Sequence, residues 1–363
     1  MASKIATMTD IAKAAGVSQS TVSMILNGKG TSFPPETISR VLNTASSMNY
    51  HIRHRQSSSS ARTIMVISAQ ATNPYYLNML QGIERASAES DIRVLAVFTY
   101  HDSEKEASFL KFAIEHRLTG VIFLYAPDNE EAYSETAAAL PIISVSDRAS
   151  IFPGDVIQLN NFNAGVLAAE HLLNLGHKKL AVLSHRGKGK SSSSRDTRIS
   201  GIISAVSGKI PDSDLLILTS NDPPTGYLDE NGFHYHVGYS LAQNKKLYSC
   251  GITGIICVND LVAYGAIDAI SSKGYRVPED FSVIGSDNLL YSGMSRVSLS
   301  TIEHHADAIA ESAFSSLMMR VNSAVPSQSS AVRVQIQNEP SLIIRSSTAA
   351  VRTHELAVPP QNT

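Results

Sequence analysis

Cysteine is scarce in this chain: of 363 residues only Cys250 and Cys257 carry a thiol, and both sit in or beside an apolar strand-like run. Two such residues make no disulfide scaffold and no thiolate metal site, so both read as small buried thiols. A basic start leading into an apolar run is also missing, as is any stretch long and apolar enough to span a bilayer. The expected location is therefore the cytoplasm, with no membrane partner. Catalytic signatures are absent too. Neither a Gly-x-Ser-x-Gly elbow nor a Gly-x-Gly-x-x-Gly turn occurs. The nearest mimic of a phosphate loop, Ser184-His-Arg-Gly-Lys-Gly-Lys-Ser191, has serine where that loop needs glycine, and serines at 191–194 would open its helix poorly. It reads as a mobile basic loop. His234-Tyr-His236 and His304-His305 lack companion ligands at zinc spacing, so they read as ordinary loop or helix-start histidines. The chain is expected to be no enzyme and to need no cofactor.

What is present is an uneven charge. Residues 1–62 hold seven Lys and Arg against two acidic residues, whereas the remainder holds 23 against 30. A basic head on an acidic body is the asymmetry expected when only the head meets phosphate. Within the head, Thr7 and Asp10 form a capping-box-like start to a helix over Met8–Ala15, with Ile11, Ala12 and Ala15 on its inner face. Gly16 supplies the left-handed turn, and Ser18 caps a second helix. Val22, Ile25 and Leu26 of that helix turn inward. Gln19, Ser20, Ser23, Met24 and Asn27 are left outside, a face of short side chains suited to the major groove. A third helix over about Glu36–Met48 closes the core with Ile38, Val41, Leu42 and Ala45. A bare helical hairpin would share this pattern; the charge favours a helix-turn-helix on DNA.

The boundaries follow from composition. Residues 1–50 form the all-α head, 51–62 a basic Ser-rich linker, 63–345 the body and 346–363 a tail without apolar period, expected to be disordered. In the body, Val- and Ile-rich runs such as Ile64–Ser68, Ile92–Phe98 and Gly120–Leu124 alternate with helical stretches. The same rhythm repeats from Lys179–Ser184 to Phe281–Gly285. Two successive series imply two α/β lobes with parallel sheets, and a ligand cleft where their strand ends face one another.

Several runs carry a resemblance to a known family: Asp10-Ile-Ala-Lys-Ala-Ala-Gly-Val-Ser with Thr21-Val-Ser, Asn73-Pro-Tyr-Tyr, His171-Leu-Leu-Asn-Leu-Gly-His-Lys-Lys, Arg198 with Gly201, Asn259-Asp260, and Val277-Pro-Glu-Asp-Phe-Ser-Val-Ile-Gly. In these the chain resembles the lac repressor (LacI/GalR) family of transcription regulators over nearly its whole length. The resemblance implies a periplasmic-binding-protein-like body that dimerises and binds a small effector between its lobes. It implies a DNA-contacting set of Thr7, Ser18, Gln19, Ser20, Thr21, Ser23, Met24, Asn27, Tyr50, Arg53 and Arg55. It also implies an effector set of Tyr75, Tyr76, Asp147, Ser194, Arg198, Phe233, Asn259 and Asp287. Two departures stand out. Met24 occupies a position where most members place a guanine-reading arginine, and Gln56–Ser59 offers no leucine to wedge into the minor groove.

The expectation is thus a repressor: a homodimer holding two heads on two-fold-symmetric double-stranded operator DNA, controlled by a sugar or sugar phosphate. A purine or nucleoside would suit the same residue types. A solute-binding protein or an enzyme using the cleft are the rival classes, the first disfavoured by the DNA head and the second by the missing nucleophile and base.

Overall fold

The computed structural model describes residues 7–26, 33–48, 62–146, 154–185, 193–220, 232–323 and 335–351. The chain divides into two compact units, 1–61 and 62–363. In the first, α1 (Met8–Ala15), α2 (Gln19–Leu26) and α3 (Pro35–Ser47) pack around Ile11, Ala12, Ala15, Val22, Ile25, Leu26, Val41 and Ala45. Leu42, expected on the inner stripe of α3, is instead 44% exposed. Val41 and Ala45, four apart, already fill the face turned to the other two helices.

The second unit holds two six-stranded sheets. The first lobe orders β11 (Gln335–Asn338), β5 (Asp155–Leu159), β4 (Ile142–Val145), β3 (Gly120–Phe123), β1 (Arg62–Ser68) and β2 (Ile92–Phe98), all parallel. The second orders β12 (Ser341–Ile343), β10 (Ser300–Glu303), β9 (Ser282–Ser286), β8 (Gly254–Cys257), β6 (Leu180–His185) and β7 (Leu215–Ser220), parallel except for β12 on β10. Strands such as β3 and β8 are buried throughout, because helices cover both faces.

The lobes are not successive segments, as the repeating rhythm had suggested. After β10 the chain returns to the first lobe as α12 (Ala306–Asn322), whose Ile309, Ala310, Ala313, Phe314 and Leu317 join the core around Ile64, Met79 and Ile83. β11 then stays in that lobe and β12 goes back to the second. The chain therefore crosses three times, at residues 160, 304–305 and 339–340, and these crossings are tied together. Asn160 Nδ2 donates to both Glu339 carboxylate oxygens at 3.0 and 2.9 Å, Asn163 Nδ2 adds a bond of 3.2 Å, and Asn338 Nδ2 donates to the His304 carbonyl.

Three further expectations are corrected. Residues 346–351 are not a disordered tail: Ser347 and Thr348 are buried. Ser347 Oγ donates to the Val283 carbonyl at 2.6 Å, and Thr348 Oγ1 lies 2.9 Å from His171 Nε2. Short hydroxyls replace the apolar period here, so the packing leaves no hydrophobic signature; residues 352–363 lie outside the described residues. Cys257 is buried in β8 as expected, but Cys250 is exposed just after the short helix Lys245–Ser249. Arg62, assigned to the linker, is the first residue of β1, and the rest of the linker lies outside the described residues. Among the described residues, no helix is long and apolar enough to cross a membrane.

Candidate functional site

The first candidate site is the exposed face of α2. Its approach is fixed by the capping box the sequence indicates: Thr7 Oγ1 accepts from Asp10 N at 3.3 Å, and Asp10 Oδ2 accepts from Thr7 N at 2.9 Å. Gly16 turns the chain at φ 68°, ψ 37°, a left-handed conformation that costs glycine nothing. Ser18 Oγ then accepts from Thr21 N at 3.1 Å and lies within hydrogen-bond reach of the Ser20 and Thr21 hydroxyls. Gln19 and Ser20 are exposed in the first turn, Met24 is 40% exposed one turn on, and Thr21 and Ser23 are half-buried. Met24 therefore lies outside the three-helix core. Thr7 and Ser18 serve as caps, while Asn27, Tyr50, Arg53 and Arg55 lie outside the described residues.

The second site forms at the carboxyl ends of both sheets. From the first lobe, Asn73 caps α4 (Pro74–Ser87) by accepting from Tyr75 N at 3.0 Å, which places Tyr75 and Tyr76 in the helix's opening turn. Their rings meet edge to face at 5.6 Å. Tyr75 also faces His304, on a crossing between the lobes, at 6.2 Å. From the second lobe come Arg198 on α8 (Ser193–Val206), Phe233 at the start of α9 (Phe233–Ala242), and Asp287 directly after β9. Arg198 Nε and Nη2 donate to Asn161 Oδ1 at 3.1 and 2.6 Å, and its Nη1 donates to the Val258 carbonyl. The guanidinium is thus pinned in one orientation. Asp287 adopts φ 113°, a strained conformation for a residue with a side chain, and its carboxyl is pushed well above the ordinary value by burial. Arg198 opposes that rise, whereas Asp260 and Glu303 add to it.

Asn259 has a different local role from the free polar contact expected of it. Its Oδ1 caps α11 (Asp260–Ser272) by accepting from Val262 N at 2.9 Å, and its Nδ2 donates to His234 Nδ1 at 2.6 Å. Ser194 is half-buried at the start of α8, and Asp147 lies outside the described residues.

Sequence reading passed over several members of this cleft. His234 and His304, read as ordinary histidines, are both buried; His234 is pushed down to about 3 by burial and by Arg195, so it stands neutral and accepts from Asn259. His185, at the end of β6, packs against the Phe233 ring at 5.2 Å and the His234 ring at 4.4 Å. The supposed phosphate loop that follows it lies outside the described residues. Arg195 sits close enough to Tyr76, Arg198 and Asp287 to interact electrostatically with each. The signal for it was in the sequence: three residues before Arg198, it shares a helix face with the recognised arginine. Among the described residues no cluster of His, Cys, Asp and Glu could hold a metal ion.

Comparison with known proteins identifies both parts. Residues 7–53 match the family model described as bacterial regulatory proteins, lacI family, and residues 169–348 match the periplasmic binding protein-like domain. The transcriptional regulator DegA of Bacillus subtilis is 30% identical over 305 residues, covering 82% of this chain and 86% of its own. This chain belongs to the lacI family. The transcriptional repressor PurR of Mannheimia succiniciproducens is 29% identical over 353 residues, 96% of this chain and all of that protein. A LacI-family regulator of Enterococcus faecium solved with bound ribose shares the fold at 23% identity and TM-score 0.67, covering 80% of this chain and 100% of its own. As a lacI-family member the chain is a DNA-binding transcriptional regulator, and family members of this kind are regulators rather than enzymes.

Proposed function

We propose that the protein is a repressor that binds a two-fold-symmetric operator as a homodimer and is controlled by a small polar effector in the interlobe cleft, a sugar or sugar phosphate. The observation that carries the effector reading is the pinned Arg198 beside Asp287, with Tyr75, Tyr76 and Phe233 at the same strand ends. A guanidinium and a carboxyl donate to and accept from hydroxyls, while aromatic rings cover the apolar face of a sugar ring. The relative named a repressor and the fold neighbour solved with ribose support the same reading. Recognition geometry supports the dimer reading: one short helix reads only a few base pairs, and a two-fold pair doubles the site.

The test is selection of bound sequences from randomised duplexes by the full-length protein, followed by gel shift with candidate effectors. Enrichment of a two-fold-symmetric site, with binding altered by a sugar or its phosphate, is expected. Arg198→Ala should keep the operator and lose the response. Enrichment of a single half-site would refute the dimer, and an Arg198→Ala variant with wild-type response would remove this residue from the site.

A further inference from the structure

Two arginines face the cleft from the same side of α8, and their bonding differs. Arg198 spends its guanidinium on Asn161 and the Val258 carbonyl. Arg195, three residues earlier, has its Nε closed off from solvent without a hydrogen-bond partner. A buried donor left unsatisfied costs free energy until something accepts from it, and a guanidinium edge matches the two oxygens of a carboxylate or phosphate. The charges that interact with Arg195 are Asp287 in the cleft and Asp196 on the exposed side of α8, with Arg198 opposing and the Tyr76 phenol facing it from the other lobe. Burial raises the Asp287 carboxyl toward its neutral form. The pair of arginines is therefore short of negative charge where the lobes meet. Resting on the cleft being the effector site, we propose that Arg195 is the anion-holding residue of that site and that the effector is an oxyanion carried on a ring: a sugar phosphate or a sugar acid, not a neutral sugar or a free base.

The experiment uses the full-length protein and matched probes: ribose and ribose 5-phosphate; glucose, glucose 6-phosphate and glucuronate; adenine; and inorganic phosphate. Binding is read by calorimetry and by thermal shift, in the wild type, Arg195→Gln and Arg195→Lys. At least one anionic probe should bind tenfold or more tightly than its neutral partner, and the phosphate and glucuronate arms then separate phosphate from carboxylate. Arg195→Gln should erase that advantage, and Arg195→Lys should keep part of it, with unliganded melting temperatures no lower than that of the wild type. Neutral probes binding as tightly as their anionic partners, an advantage that survives Arg195→Gln, or no binding by any anionic probe would each overturn the proposal. Neutral binding that is lost in Phe233→Ala and indifferent to Arg195 would overturn it while leaving the cleft as the effector site. Binding of some probe that neither Phe233→Ala nor Arg198→Ala alters would overturn the cleft reading itself.

Discussion

Gly165→Ala puts the arrangement of α7 (Asn161–Asn174) and α8 to a direct test. A Cβ on Gly165 would lie 1.9 Å from the Arg198 carbonyl oxygen and 2.9 Å from Ile202 N, inside the 3.0 Å that real Cβ atoms respect. Both obstacles are backbone, so no side chain can swing aside. The helices must part by about 1 Å to clear the 1.9 Å contact. Overpacking of this kind costs about 1–3 kcal/mol. At roughly 2–4 °C per kcal/mol for a domain approaching this size, the melting temperature should fall by several degrees. Asn161 lies one turn before Gly165, so the same separation stretches its 3.1 and 2.6 Å bonds to Arg198. Hydrogen bonds to a charged group contribute about 1.5–3 kcal/mol each, so effector affinity should drop at least tenfold. Thermal unfolding and calorimetry on Gly165→Ala read both effects, with Ser200→Ala on the exposed side of α8 as control. Operator binding should persist, because the helix-turn-helix is a separate compact unit. A Gly165→Ala protein with wild-type melting and wild-type effector response would refute the close approach of the two helices and the route from it to Arg198.

Asp260 is buried, accepts from Leu289 N, Ser292 Oγ and Thr301 Oγ1, and has its carboxyl pushed up to about 6, chiefly by burial. A raised acid contributes stability that is present below pH ~4 and lost as pH rises through about 6, by up to about 3 kcal/mol; Asp260→Asn should flatten that slope in urea titrations across this window. Truncation after Arg345 removes the buried Ser347 and Thr348 and should lower the melting temperature of the body, whereas truncation after Val351 spares these contacts and should leave it close to wild type. Met24→Arg should shift the opposing base pair toward guanine by roughly 1–3 kcal/mol in a randomised-operator selection; loss of stability with no guanine preference would mean that position 24 does not face the groove.

Much of the head was legible because its signals are local. Thr7, Asp10, Gly16 and Ser18 act on backbone within a few residues, so their positions fix α1, the turn and α2 without knowledge of anything distant. The strands of the body were legible for a related reason, since a strand covered on both faces reads as an unbroken Val and Ile run. What escaped was non-local. Nothing in the sequence of α12 says that it joins the lobe begun at β1 and not the one the chain has just left at β10. The Ser347 and Thr348 contacts escaped because polar packing has no hydrophobic period. Asn259 stood at the strand end that the resemblance marks, yet its carbonyl and amide are both engaged locally, one by α11 and the other by His234. Arg195 was within reach by helical spacing from Arg198.

The crossings give a physical reason for a small molecule in this cleft to change the angle between lobes. Glu339 accepts from Asn160, Gln337 and Asn163, and these bonds, which hold its carboxyl below the usual range, tie two of the crossings together. Rotation about that joint would move the strand ends most, since they lie farther from the tied crossings. Tyr76 comes from one lobe and Arg195 from the other, and they interact across the gap. A ligand shifts such an equilibrium only by as much as it prefers one lobe angle to the other. A group that touches both lobes has that preference built in, since opening removes half of its contacts. An anion against Arg195 and Arg198 would gain further on closure, because exclusion of water strengthens its attraction to both guanidiniums while their mutual repulsion is relieved. A neutral ligand lacks that charge-dependent gain and must discriminate between the two angles through hydroxyl contacts to Arg198 and Asp287 and ring contacts with Tyr75, Tyr76 and Phe233.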